Sequence, residues 1–190
     1  MFSTLRLPVA SAGIVIALLG FLASTLAAER LQSGLQPGEK ITTIFEPVNV
    51  NGEHAGEPYC LICENGLAPV VMLFAREVNE PLLQLLTHID AATAKHRDQE
   101  LGSFVVFLSD DDRLREQLAA EAKKRNIQKL VLSTFDASGP EGFKVARDAD
   151  LTIVLYREHA VKANHAFRRG EFTAAASEKI LADLPKILAK

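Results

Sequence analysis

The feature that most constrains the fold is an uninterrupted apolar run from Pro69 to Ala75. A strand buried on both faces needs apolar residues at every position, so this run predicts a strand in the middle of a sheet. The segment 104–108 (FVVFL) repeats the pattern. Between them, Asn79 is a predicted N-cap, and a helical spacing of leucines continues to about Arg97. A strand, a helix and a second strand in this order predict parallel pairing and an α/β fold.

The flanking segments complete the predicted domain. Residues 41–50 are rich in β-formers and lead through Asn51-Gly52 into a long loop that ends near Ala68. Asp110 or Asp111 is expected to cap a second helix, and residues 130–132 form a short strand. The last predicted elements are two strands, residues 151–156 and 161–167, and a helix that starts at Thr173. Pro185 lies inside the helical pattern, so we expect a kink or an early stop there. Since only four residues separate these two strands, they should form an antiparallel hairpin.

An apolar segment precedes the predicted domain. Arg6 is the only charged residue before Glu29, and the intervening sequence resembles the basic and hydrophobic regions of a secretory signal. The uncharged stretch is also long enough to span a bilayer, so an uncleaved anchor is the alternative. We therefore assign residues 1–27 to a signal peptide or membrane anchor, 28–40 to a linker and 41–190 to one domain. Both alternatives export the domain, to the periplasm or beyond, with the membrane reached only through the N-terminal segment.

The charge of the chain excludes one class of partner. Its formal net charge is −3, and the chain has no basic cluster of the kind that binds nucleic acid. The only cysteines are Cys60 and Cys63, in the sequence EPYCLICENG. Because Glu64 follows Cys63, where a c-type haem motif has histidine, this motif is excluded. No cofactor is expected.

Spacing alone leaves three interpretations of Cys60 and Cys63 open. The first is a structural disulfide, although a ring of about four residues contributes only roughly 2 kcal/mol in the chain-entropy model. The second is a catalytic dithiol that exchanges with the thiols or disulfides of other proteins. The third is a Cu(I) or Zn(II) site in which His54 or His165 joins the two thiolates. Nearby glutamates raise the pKa of a thiol, which disfavours a highly reactive cysteine.

The order of elements resembles the thioredoxin-like superfamily, over about residues 41–190. The matching points are the entry at 48–52 (VNVNG), the apolar strand at 69–75 and the hairpin at 151–167. The variety most similar to it is the exported branch of peroxiredoxins and membrane-tethered thiol reductases. The resemblance implies a central mixed sheet flanked by helices, with a C-terminal hairpin and helix. It also implies that Cys60, the first cysteine of the pair, attacks and that Cys63 resolves.

The sequence departs from this family at its redox site. The family places its Cys-x-x-Cys just after the central strand, where this chain reads Arg76-Glu77-Val78-Asn79-Glu80-Pro81. Leu151 stands where the family has a cis-proline, although Thr152 fits the threonine that follows it. The peroxidase motif Pro-x-x-x-Thr/Ser-x-x-Cys is also missing. The resulting hypothesis is an exported thioredoxin-like protein that exchanges disulfides through Cys60 and Cys63. The alternatives are a non-enzymatic binding module with a structural disulfide, or the metal site.

Overall fold

Six strands form one mixed sheet in the computed structural model, which describes residues 31–188. The strands lie in the order β1-β4-β3-β2-β5-β6. Their bounds are β1 Val48–Asn49, β2 Val70–Ala75, β3 Gly102–Leu108, β4 Val131–Phe135, β5 Leu151–Arg157 and β6 Ala160–Phe167. β2, β3 and β4 are parallel to one another, whereas β1, β5 and β6 each pair antiparallel. The predicted mixed α/β architecture is confirmed.

The apolar run occupies the centre of this sheet. β2 lies between β3 and β5, with Leu73 opposite Val105 on one side and Ile153 on the other. All six residues of β2 are buried. Because side chains alternate along a strand, β2 contributes to two cores, one on each face of the sheet. Val71, Leu73 and Ala75 belong to the first core, and Val70, Met72 and Phe74 belong to the second.

Within residues 31–188, four α-helices cover the two faces of the sheet. Their bounds are α1 Leu61–Asn65, α2 Glu80–Lys95, α3 Leu114–Lys124 and α4 Ala174–Ala182. α2, α3 and α4 supply side chains to the first core, whereas α1 supplies Leu61 and Ile62 to the second. Among residues 31–188, no helix has both the length and the apolar character needed to cross a membrane. The predicted signal or anchor, residues 1–27, lies outside the described part of the chain.

Two predicted helix boundaries are confirmed by their hydrogen bonds. Asn79 caps α2, since its Oδ1 accepts the Leu82 N–H at 3.0 Å. Thr173 caps α4 in the same way, with its Oγ1 accepting the Ala176 N–H at 3.3 Å. α4 ends at Ala182, and Pro185 follows in a 3-10 turn, Leu184–Lys186. Proline cannot donate the backbone hydrogen bond that an α-helix requires, which accounts for the early stop.

The predicted cap of α3 is wrong. α3 begins after Arg113, and no side chain caps its first turn. Asp111 lies two residues before the N-cap position, and its Oδ1 accepts the Arg113 N–H at 3.0 Å. Asp110 instead accepts the Ala137 N–H at 3.0 Å and so attaches the loop after β4. These two aspartates therefore stabilise a turn and a neighbouring loop.

The hairpin of β5 and β6 is confirmed, with Glu158 and His159 at its tip. Both tip residues have positive φ, 53° and 57°, as a tight two-residue turn requires. Of the β-rich segment 41–50, only Val48–Asn49 forms a strand, which pairs with β4. Residues 42–44 before it are exposed on all three side chains and do not pair with the sheet.

Residues 33–41, which we call the strap, pack against β5 and β6. Ser33 and Leu35 are buried, and the Gly38 N–H donates to the Val161 carbonyl at 3.0 Å. Gly34 has φ +78°, and a Cβ there would lie 2.7 Å from Thr152 Cγ2 and 2.8 Å from Asn164 Nδ2. A side chain at position 34 would therefore push the strap away from the sheet. Residues 33–40, which belong to the predicted linker, thus lie against the domain.

Candidate functional site

Cys60 and Cys63 form a disulfide, with their Cα atoms 5.3 Å apart. The pair lies at the start of α1, a short helix inside the segment that the sequence indicated as a loop. Cys60 is the N-cap residue, and its Sγ accepts the Cys63 N–H at 3.1 Å. The two sulfurs are therefore held by the covalent bond and by the first turn of the helix.

Neighbouring backbone fixes this turn from both sides. Before it, the Tyr59 N–H donates to the Pro47 carbonyl at 3.0 Å, and Pro58 forms a bridge with Val48 in β1. After it, Gly66 has φ +50° and returns its N–H to the Ile62 carbonyl at 3.1 Å. Glycine tolerates this positive φ without the cost that a Cβ would impose. The position of the disulfide is thus set by strand pairing on one side and a glycine cap on the other.

Two buried residues anchor α1 to the sheet. Leu61 and Ile62 lie between the cysteines, and each is only 2% exposed. Asn65 closes the helix, since its Nδ2 donates to the Leu61 carbonyl at 2.7 Å. Its side chain occupies the space beside Gly102, where a Cβ would lie 1.7 Å from Asn65 Oδ1. The available sequence signal for α1 was the apolar Leu61-Ile62 pair followed by Gly66.

The two cysteines differ in exposure. Cys63 is exposed, whereas Cys60 is half-buried and packs against the second core. A reagent in solution therefore meets Cys63 first. Sequence spacing gave no information on this difference, because it depends on which residue of the turn faces the sheet.

The surroundings of the pair are acidic. Glu53, Glu57 and Glu64 are exposed, and within residues 31–188 none of them forms an ion pair. No lysine or arginine occurs between Glu46 and Arg76. Unpaired carboxylates at the surface favour the approach of a positively charged partner over a negatively charged one.

The histidines considered as metal ligands have other neighbours. The His54 ring stacks on Tyr59, with ring centroids 3.5 Å apart and planes inclined by 15°. His165 Nε2 lies 3.1 Å from Asp183 Oδ2, on the side of α4. Across residues 31–188, no group of three or more histidine, cysteine, aspartate or glutamate side chains is arranged to hold a metal ion. The metal site stays a prediction, without a ligand set in the oxidised form described here.

An arginine occupies the position where the thioredoxin-like family carries its redox cysteines. Arg76 follows β2, and its guanidinium donates to the carbonyls of Ala137 (2.7 Å), Ala149 (3.1 Å) and Ala146 (3.5 Å). It thereby holds the loop between β4 and β5 against the end of the sheet. The following helix, α2, packs on the first core, whereas Cys60 packs on the second. The disulfide therefore lies on the opposite face of the sheet from α2.

The structure also shows the departure from the family pattern at Leu151. Residues 31–188 contain no cis peptide bond, so Leu151 does not reproduce the family's cis-proline. Just before it, Asp150 is half-buried. Burial and the nearby Glu77 carboxylate raise the pKa of Asp150, with Arg169 and Arg76 acting in the opposite direction. Hydrogen bonds from Arg76 thus stabilise the end of β2, and within the described residues no cysteine lies at this position.

Comparisons with known proteins support the fold. No protein-family model and no curated protein matches the chain. A candidate protein disulfide isomerase from Bacteroides thetaiotaomicron has TM-score 0.62 at 14% identity, covering 84% of this chain and 96% of that one. Peroxidoxin BcpB from Mycobacterium tuberculosis has TM-score 0.57 at 17% identity, covering 82% and 99%.

A third solved structure is a single domain. The thioredoxin domain of a thiol-disulfide oxidoreductase from Bacteroides vulgatus has TM-score 0.52 at 9% identity, covering 79% of this chain and 99% of that one. At these identities the similarity concerns the fold, and function has to be argued from the site. In its sheet order, its helices and its C-terminal hairpin, the described part of the chain has a thioredoxin-like α/β fold.

Proposed function

We propose that this protein exchanges disulfides with the thiols of other proteins through Cys60 and Cys63. The observation that carries the proposal is a closed disulfide whose second cysteine is exposed, on a thioredoxin-like domain. A disulfide that works by exchange must be reachable by an incoming thiolate, and Cys63 meets this condition. Two of the structurally similar proteins are named as a thiol-disulfide oxidoreductase and a candidate disulfide isomerase, which supports the same chemistry.

The reaction needs no bound cofactor. A thiolate of the partner attacks one sulfur of the disulfide, a mixed disulfide forms, and the other cysteine leaves as a thiolate. A second thiol of the partner then attacks its own sulfur in the mixed disulfide and releases the remaining cysteine. The partner is oxidised by two electrons, and Cys60 and Cys63 are reduced by two. The reverse sequence oxidises this protein.

We further propose that this exchange takes place after export. The support is the apolar segment that follows Arg6, since both a cleaved signal and a retained anchor place residues 31–188 on the far side of the membrane. A disulfide persists in that compartment, because reductants of the cytosol do not reach it. Recovery of the chain in the cytosolic fraction of a bacterial host, with Cys60 and Cys63 reduced, would contradict this part of the proposal.

The competing function is a binding module in which the disulfide only holds α1. The packing of Cys60, Leu61 and Ile62 against the second core favours this alternative. The double variant Cys60→Ser, Cys63→Ser separates the two. Exchange predicts that reduction of insulin disulfides by the pre-reduced protein is lost in the variant while its fold is retained. A variant that unfolds, together with a wild-type protein that does not reduce insulin, would favour the binding module.

A further inference from the structure

The two sulfurs of the disulfide are not equally open to attack. A thiolate attacks a disulfide in line with the sulfur–sulfur bond, from the side opposite the sulfur that leaves. Cys60 is half-buried and packs against the second core, which restricts the approach of a thiolate to its sulfur. Attack on Cys63 comes from solvent, because Cys63 is exposed. The geometry favours an incoming thiolate at Cys63 Sγ.

The two sulfurs also differ as leaving groups. Exchange is faster when the departing thiolate is the more stable one. The Cys60 Sγ accepts the Cys63 N–H at 3.1 Å, and a hydrogen bond from a backbone amide is stronger when its acceptor is charged. The Cys63 Sγ accepts no hydrogen bond within the described residues, and the Glu64 carboxylate beside it is exposed and forms no ion pair. Expulsion of Cys60 is therefore favoured over expulsion of Cys63.

We infer that Cys63 is the cysteine that forms the mixed disulfide with the partner and that Cys60 is the internal thiolate. This inference rests on the proposed exchange function, and it reverses the roles that resemblance to the thioredoxin-like family implies. In the reductive direction, the partner thiolate bonds to Cys63 Sγ, the Cys60–Cys63 bond breaks, and its electron pair remains on Cys60. In the oxidative direction, the Cys63 thiolate attacks the partner's disulfide, and Cys60 then attacks Cys63 to release the partner's thiol.

The test uses the oxidised wild-type protein and glutathione, a thiol too small to select a docking surface. The reaction is quenched early with excess N-ethylmaleimide, and peptides that carry both cysteines are sequenced by tandem mass spectrometry. We expect glutathione on Cys63 and maleimide on Cys60, in at least several-fold excess over the reverse pattern. Equal amounts, or a majority with glutathione on Cys60, would overturn the inference while leaving the exchange function intact. If neither sulfur is modified, the exchange function fails, and the inference fails with it.

A pair of single variants gives a second readout. Cys60→Ser retains the exposed thiol, and Cys63→Ser retains the half-buried thiol, so each is the matched control of the other. With oxidised glutathione as the probe, we expect Cys60→Ser to form the mixed disulfide several-fold faster than Cys63→Ser. Circular dichroism establishes that both variants are folded. A faster reaction of Cys63→Ser would contradict the assignment.

Discussion

Substitution Ser33→Ala tests whether the strap is part of the folded domain. Ser33 is 1% exposed, its Oγ lies 2.6 Å from Thr152 Oγ1, and it accepts the Ala146 N–H at 2.9 Å. Alanine removes both contacts and leaves the Thr152 hydroxyl and the Ala146 amide without these partners. A buried polar group that loses its partner costs about 1–3 kcal/mol. For two such groups in one network, we expect the free energy of unfolding to fall by about 2–4 kcal/mol.

Urea unfolding at pH 7, followed by circular dichroism, measures this loss. The matched control is Ser138→Ala at an exposed serine, for which a change within about 0.5 kcal/mol is expected. Thr152→Val, alone and combined with Ser33→Ala, completes a double-mutant cycle. We expect the two substitutions together to cost less than the sum of their separate effects, because each removes the same contact. A loss below about 0.5 kcal/mol for Ser33→Ala would refute the packed strap and favour a free linker.

Three further predictions concern Arg76, Asp150 and the acidic surface. Arg76→Met should reduce the free energy of unfolding by about 2–3 kcal/mol, because three backbone carbonyls lose a charged donor. Exchange at Cys60 and Cys63 should be unchanged, and a loss of exchange at full stability would contradict this prediction. Burial raises the pKa of Asp150 above its unfolded value. The protonated carboxyl therefore favours folding at acid pH, and this contribution to the free energy of unfolding is lost as the pH rises through the folded-state pKa. Asp150→Asn should therefore unfold at higher urea at pH 7 than the wild type, whereas Asp136→Asn, at an exposed carboxylate, should not. A cationic dithiol peptide should reduce the oxidised protein about tenfold faster than an anionic one at low ionic strength, with the difference shrinking as salt is added; equal rates would exclude a role for Glu53, Glu57 and Glu64.

The central layer of the fold could be predicted because its sequence signals are local and strong. β2 has no polar residue, and α2 carries an asparagine cap, a proline in its first turn and leucines at helical spacing. The connection between β5 and β6 is too short for a parallel crossover, so the sequence predicted an antiparallel hairpin. In each case propensity, periodicity and capping agree, so no distant contact was needed to choose between alternatives.

The elements that the sequence did not reveal depend on distant partners. α1 has only five residues, too few for a helical spacing of apolar residues to be recognised in the sequence. Its position depends on the hydrogen bond to Pro47, on the cap at Gly66 and on packing against the sheet. The strap has the composition of a linker, yet Ser33 finds its partners at Thr152 and Ala146, more than a hundred positions away. Tertiary contacts of this kind leave no periodic trace in the sequence.

The sequence predicted the residues of the candidate site and their place along the chain, but not their exposure. Sequence placed Cys60 and Cys63 before the central strand and identified the position after that strand as empty of cysteine, as the structure describes. The difference in exposure between the two cysteines depends on how α1 packs. That difference underlies the inferred reversal of their roles.

The reduction potential of the Cys60–Cys63 disulfide tests the exchange function most directly. Equilibration of the full chain in glutathione and dithiothreitol redox buffers, followed by alkylation and mass spectrometry, gives this potential. Structural disulfides typically lie below about −300 mV, and disulfides that work by exchange lie higher. The proposed function predicts a potential above about −300 mV, within reach of partner thiols. A potential far below that value would contradict exchange and leave the disulfide as a structural link that holds α1.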